Sequence, residues 1–270
     1  MESGEPSRTA QAAALLRAEH QVVDIPPVFE DALALKVAAA IGAHAPAGDA
    51  QDPRRRALRA FIAARSRFAE DRLAAAVRRG VAQYAILGAG LDTFAHRNPY
   101  REPRLRVYEV DHPATQRWKR ARFHDAGIGQ PETLAYVPMD FERDALFDAL
   151  ARHGFEAAQP ALFSWLGVTA YLPEAAVLDT LRRIAAGSAP GSEIVFTIAT
   201  RASETGARAA RLGEPWLSTF DPAGIQASLR QMGFRETLAL SAGELNRLYF
   251  EGRADRLRVG GSGVIVTARV

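Results

Sequence analysis

The chain is expected to fold as an α/β domain around a mainly parallel sheet, and three observations lead to that expectation. Seven short runs rich in β-branched and aromatic residues alternate with segments of helical composition, the pattern of strands joined by helical crossovers. The first run, Tyr84–Leu87, stops at Gly88-Ala89-Gly90, a turn whose backbone amides no side chain obstructs. The second, Leu105–Val110, ends among the acids Glu109 and Asp111, with Asp111 lying 23 residues beyond Gly88. An offset of about 20 residues is what a second parallel strand needs to present a carboxylate to a ribose diol. Thr93 stands where a G-x-G-x-x-G fingerprint would place its third glycine. A pyrophosphate would lose its close helix approach there, so a nucleoside without phosphates fits better than NAD or FAD.

Composition removes several classes of function. Of 270 residues, 48% are apolar, enough for a substantial core. The net charge of +3 is scattered along the chain, whereas nucleic-acid binders concentrate it in a stripe. With no cysteine there is no disulfide, thiolate nucleophile or cysteine-bound zinc, and the six histidines show no metal-ligand spacing. No run approaches the ~20 apolar residues of a membrane span. The opening M-E-S-G-E-P-S-R lacks the basic start and apolar centre of a signal peptide, so a cytoplasmic protein is expected.

In chain order, Ser7 or Thr9 is expected to cap a helix over Ala10–Glu19. Pro26-Pro27 interrupts, and Val28–Ile41 reads as a second helix. Ala57–Arg79 reads as a long third one, with Leu58, Phe61, Ile62, Phe68, Leu73 and Val77 near a 3.6-residue period. Arg54-Arg55-Arg56 flanks its start. Arg65 lies inside that apolar stripe, which suits either an arginine snorkelling at its edge or a charge aimed at a ligand. After the second strand come a helix over Pro113–Ala126 with Trp118 and Phe123 inward, and a strand over Thr133–Met139. Asp140-Phe141 follows, either capping the helix around Asp144–Arg152 or presenting an acid and a ring to an adenine. The fourth strand, Ala161–Trp165, runs on into Leu166–Leu172, and Pro173-Glu174 opens a helix reaching about Ala186. Strand five covers Ser192–Thr200. The polar stretch Arg201–Asp221 suits a lid, Ile225–Met232 a helix, and Phe234–Leu240 and Gly263–Val270 two last strands around a helix at Glu244–Phe250.

The motifs G-A-G-L-D-T-F-A-H-R, Y-E-V-D-H-P and W-L-G-V-T-A-Y-L-P resemble the leucine carboxyl methyltransferase-like family of S-adenosylmethionine (SAM) enzymes, over roughly residues 7–234. That family includes bacterial O-methyltransferases of small molecules. The resemblance implies a Rossmann-like methyltransferase fold, with an N-terminal helical cap over residues 1–80 and a core over 81–270 whose last strands pair antiparallel. It implies SAM as cofactor and S-adenosylhomocysteine as product. By the same resemblance Arg65 holds the SAM carboxylate, a task suited to a bidentate guanidinium. Gly88, Ala89 and Gly90 approach the cofactor with their backbone, Asp111 (or Glu109) takes the ribose, and Asp140 and Phe141 meet the adenine. The family often carries Glu where this chain has Leu166, an acid that contacts the cofactor's amino-acid end, so backbone carbonyls after the strand, or another acid, would receive the ammonium group here.

For the acceptor, Arg17, Tyr171 and Trp216 are candidate contacts, with Tyr171 equally suited to a core position. Leu217 and Phe220 add apolar surface, and Arg208 and Arg211 could meet an anion. A carboxylate acceptor needs no strong base; a phenol would be helped by one, for which His96, His112 and Tyr171 are the candidates. The expected activity is O-methylation of a small-molecule carboxylate or hydroxyl, with no nucleic-acid or membrane partner. A protein carboxyl methyltransferase, a nicotinamide oxidoreductase and a non-catalytic SAM binder are the alternatives. Asp111 is expected to be idle without ligand.

Overall fold

A computed structural model describes residues 7–42, 50–101, 104–200 and 204–270. Three helices come first, α1 (Arg8–Val23), α2 (Ala34–Ala40) and α3 (Pro53–Arg78). Then β1 (Gln83–Leu87), α4 (Phe94–Arg97), β2 (Arg106–Asp111), α5 (Pro113–Asp125), β3 (Leu134–Pro138) and α6 (Leu146–Ala151) alternate. They continue through β4 (Ala161–Trp165), α7 (Glu174–Gly187), β5 (Glu193–Ala199), α8 (Glu204–Arg211) and α9 (Pro222–Gln231). The chain closes with β6 (Glu236–Leu240), α10 (Ala242–Tyr249) and β7 (Gly263–Arg269).

The seven strands form one sheet in the order β3-β2-β1-β4-β5-β7-β6. β1 through β5 pair in parallel, and β7 inserts antiparallel between β5 and β6. The chain winds outward through β2 and β3, then returns to lay β4 against the other side of β1. A crevice therefore opens beyond the carboxyl ends of β1 and β4, where ligands bind in open α/β sheets.

Both faces of the sheet are covered, and β1 shows how. Its five residues are all buried. Ala85 and Leu87 join one core cluster with Leu150 of α6, Leu181 of α7 and Leu229 of α9. Tyr84 and Ile86 join another with Phe61, Phe68 and Leu73 of α3 and Leu245 of α10. The two-residue period thus serves two helical layers, which is why the parallel strands read as continuous apolar runs. α3 packs directly on the sheet, so the third N-terminal helix is a core layer as well as a wall above the crevice.

Helix termini depart from the sequence reading where side chains supply partners. Ser7 caps α1 as expected, its hydroxyl accepting from the Ala10 amide at 3.1 Å. α3 starts four residues earlier than expected, because Asp52 caps it through the Arg55 amide and Pro53 occupies its first position. The helix expected from Val28 begins only at Ala34. Upstream amides are already engaged: those of Val28 and Phe29 donate to Nε2 of His20, and that of Asp31 donates to Gln21. β4 ends at Trp165, and Gly167, at φ +74°, turns the chain into a 3-10 segment at Thr169–Tyr171.

Arg59 locks α3 to α1. Fully buried, it donates to both oxygens of Asp24 (2.6 and 2.8 Å) and to Glu19 (2.9 Å). Because Nε2 of His20 accepts two backbone bonds, its Nδ1 carries the proton that Asp24 receives at 2.8 Å. Burial alone would raise the Asp24 carboxyl, but hydrogen bonds from Arg59 and His20 win and bring it from 3.8 to about 2. Arg59→Ala strands a buried carboxylate and should cost about 3–5 kcal/mol in urea unfolding at pH 7. In the wild type the Asp24 contribution is present above pH 4 and disappears as pH falls toward 2, where the unfolded chain binds the extra proton. The gap between wild type and variant should accordingly narrow across that interval.

Candidate functional site

The crevice above β1 and β4 is the mouth of a cavity of about 1240 Å³. Single-ligand sites run to roughly 1,000 Å³, so this one has room for a cofactor and an acceptor together. Its floor is the turn after β1. The amides of Gly88 and Ala89 donate to the Val110 carbonyl (2.7 and 3.2 Å), curling the turn over the end of β2. Gly88 has φ +63°, and a Cβ there would lie 2.4 Å from a Val168 methyl. Only glycine combines that conformation with that proximity.

Asp111 lines the cavity at the tip of β2. Contrary to expectation it is engaged without ligand: one oxygen accepts from the Gly90 amide (2.5 Å), the other from the His112 amide (2.7 Å). Burial raises its carboxyl, opposed by these two bonds. Each oxygen keeps a lone pair for a further donor. Glu109, two residues back, does not line the cavity. It is buried against Lys119 at 2.6 Å, with its carboxyl pushed up by burial to about 7 despite that partner. Further back along the same face of β2, it lies beneath α5 and outside the cavity lining, which removes it as a ribose ligand.

Arg65 projects from α3 into the same space. It forms no hydrogen bond or ion pair with any described residue. Burial brings its guanidinium down to about 10, with Tyr171 and Asp92 supporting the charge and Arg17 opposing it. The guanidinium rests against Gly167, where a Cβ would stand 2.4 Å from Nη1. The second reading of Arg65 as a snorkelling surface residue is not what is seen. Leu166 lines the wall nearby with only methyl groups.

Past the end of β3, Phe141 and Asp140 both line the cavity. Phe141 stacks on Trp165 with centroids 5.4 Å apart, which fixes its ring at the wall. Asp140 does not cap α6; its side chain accepts from the Glu142 amide at 3.0 Å and forms a local turn.

Arg17 reaches the cavity but is committed elsewhere. It pairs with Asp31 at 2.9 Å and donates to the Leu91 carbonyl at 2.5 Å, so it holds the glycine turn and is not free for an acceptor's charge. His96 lies outside the lining, packed on Phe123, and burial lowers its imidazole to about 4. His112 does line the cavity while capping α5 through the Ala114 amide. Tyr171 and Trp216 line the upper part. Sequence reasoning passed over Asp92 and Gly167, both lining residues; the turn at Gly167 shows in the sequence only as one glycine past an apolar strand.

The roof is the segment from α8 to Phe220. Trp216 lies over Gly206 of α8, where a Cβ would come within 2.8 Å of its ring. The returning limb is pinned by Leu217 N to Ala170 O (2.6 Å) and Phe220 N to Ala199 O (2.8 Å). Glu214 ties the roof to α1, accepting from the Ser7 hydroxyl (3.0 Å), the Arg8 amide (2.7 Å), the Thr9 amide (3.3 Å) and, at closer range, the Thr9 hydroxyl. Arg211 is exposed at the rim, and the side chain of Arg208 lies outside the described residues. Among the described residues no helix is long and apolar enough to cross a membrane.

Residues 10–185 match the profile of a family described as leucine carboxyl methyltransferase. A Bacillus subtilis (strain 168) protein provisionally named an S-adenosyl-L-methionine-dependent methyltransferase, YktD, is 37% identical over 205 residues, covering 72% of this chain and 67% of its own. A similarly named Mycobacterium marinum protein is 38% identical over 160 residues, 56% of this chain and 52% of its own. The chain spans about half the length of most curated relatives it matches. Two solved structures share the fold: a DUF574-family protein from Streptomyces avermitilis (TM-score 0.61, 15% identity, 96% of each chain) and a provisionally named methyltransferase from Thermobifida fusca (TM-score 0.58, 19% identity, 99% of this chain and 96% of the other).

Gly167→Ala should displace the Arg65 guanidinium and strain a backbone at positive φ, costing about 1–3 kcal/mol in urea unfolding. Binding of S-adenosylhomocysteine, followed by calorimetry on the folded variant, should fall as well, since Arg65 is moved off its wall.

Proposed function

The chain belongs to the leucine carboxyl methyltransferase family, and from that premise we propose that it is a SAM-dependent O-methyltransferase acting on a small-molecule carboxylate, or secondarily on a hydroxyl. The observation that carries this reading is Arg65, without a hydrogen-bond or ion-pair partner among the described residues, inside a roofed cavity of about 1240 Å³. The residues present suit the cofactor. Arg65 would hold its carboxylate, the Gly88-Ala89-Gly90 backbone would face its sulfur end, Asp111 would accept from the ribose diol, and Asp140 and Phe141 would meet the adenine. When bound, SAM supplies an electrophilic methyl group on a sulfonium.

The chain's own contribution is placement and exclusion of water. A carboxylate acceptor arrives ionised, so no side chain need remove a proton; it must only be held in line in a dry chamber. The two histidine candidates agree. His96 is outside the cavity, and His112 spends Nδ1 on capping α5. Tyr171, which lines the cavity and supports the charge on Arg65, remains for orienting an acceptor oxygen.

The roof supports a small acceptor over a protein tail. A folded partner's terminus needs an open groove, whereas here Glu214 joins the roof to α1 and Leu217 joins it to the turn at Ala170. Incubating the protein with methyl-labelled SAM and extracts of its organism should place the label in an extractable small molecule. Label left on protein and released by mild base would overturn the choice of acceptor. Arg65→Lys keeps the charge but loses the planar fork, and should weaken S-adenosylhomocysteine binding by about 1–2 kcal/mol in calorimetry. Unchanged affinity would remove Arg65 from the carboxylate role.

A further inference from the structure

The charges that line the cavity near the glycine turn are mostly committed. Arg17 is paired with Asp31, and each oxygen of Asp111 already accepts a backbone amide. Glu70, behind the turn on α3, is paired with Arg97. Two groups differ. Arg65 makes no hydrogen bond or ion pair with a described residue, and Asp92 makes no ion pair with one.

Asp92 lines the cavity from the turn side and Arg65 from α3. Each is held in place. Oδ1 of Asp92 accepts from the Phe94 amide at 2.7 Å, and its backbone carbonyl accepts from Nζ of Lys119 at 2.7 Å. Arg65 is braced by the missing side chain of Gly167. Both line one cavity, and Asp92 supports the charge on Arg65 without meeting it as an ion pair. A cation and an anion kept apart across one partly desolvated space form a receptor for a ligand carrying both signs on neighbouring atoms. An α-amino-acid group has that form: carboxylate and ammonium on one carbon.

We infer that Asp92 receives the α-ammonium group of the cofactor's amino-acid end through Oδ2, facing the carboxylate site at Arg65. This rests on the SAM reading above. The side chain of Leu166 offers only methyl groups, and Glu109 is sealed beneath α5 with Lys119. Asp92 is thereby the carboxylate with an uncommitted oxygen on the turn side of Arg65.

Calorimetric titration of two probes tests the assignment: S-adenosylhomocysteine, and its deaminated analogue in which hydrogen replaces the ammonium group. Asp92→Asn is the informative variant, because asparagine keeps Oδ1 as acceptor for the Phe94 amide and so preserves the turn. The variant should bind S-adenosylhomocysteine about tenfold or more weakly than wild type, the scale of one lost charged hydrogen bond. The deaminated analogue should bind both proteins alike, so that the wild-type preference for the ammonium group disappears in the variant. Undiminished affinity of the variant for S-adenosylhomocysteine would overturn the inference, as would an equal loss for both probes, which would mark Asp92 as structural. Either result, obtained with a wild type that binds S-adenosylhomocysteine, leaves the cofactor reading standing. A wild type that binds neither probe would bring down the cofactor reading and this assignment together.

Discussion

The site depends on a buried carboxylate that never touches the cavity. Asp31, between α1 and α2, forms ion pairs with Arg17 at 2.9 Å and Arg97 at 3.5 Å, and accepts from the Thr93 hydroxyl at 2.7 Å and from the Leu33 amide at 3.0 Å. Arg17 belongs to the first helix, Thr93 and Arg97 to the segment after the glycine turn. One desolvated acid therefore clamps the N-terminal helices onto the loop that follows β1. Arg97 extends the clamp to Glu70 of α3, and stacks over Phe29 and Phe94. Buried charges of this kind persist only when fully paired, which makes their mutual geometry rigid.

That clamp explains what replaces the third glycine. In a dinucleotide fold the position lets a helix approach a pyrophosphate. Here Thr93 uses the same place to reach Asp31, so the loop is anchored by a side chain where closer approach to a phosphate would require none. The helix that follows is only Phe94–Arg97. The loop is built to be held from behind, leaving its front surface, from Gly88 to Asp92, to face the cavity.

The roof follows a different principle. Where the floor is fixed by buried ion pairs, the roof is attached by a few hydrogen bonds at its edges, through Glu214 to the start of α1 and through Leu217 to Ala170. The apolar side chain of Trp216 lies between those attachments. A floor of desolvated pairs and a roof of partly accessible bonds suit a site that must keep one ligand oriented and still admit another.

Much of this was legible in the chain itself. Alternating apolar runs and helical segments determined the seven strands and their layers, because burial on both faces of a parallel sheet leaves a continuous apolar signature at β1 and β4. The Gly-Ala-Gly turn and the acid 23 residues beyond Gly88 marked two edges of the large cavity, since a two-residue strand period and a fixed crossover length place them side by side. What tertiary structure alone decided is which charges are free. Glu109 and Asp111 are near-equivalent as letters, yet Lys119 reaches one and backbone amides the other. Arg17 and Arg65 both sit in helices with apolar neighbours, but Asp31 pairs with the first and no described residue pairs with the second. Asp92 reads as an ordinary loop acid until it is seen to line the same cavity as Arg65. Ion-pair partners far apart in sequence are chosen by the packing of whole helices, and no local pattern encodes that choice.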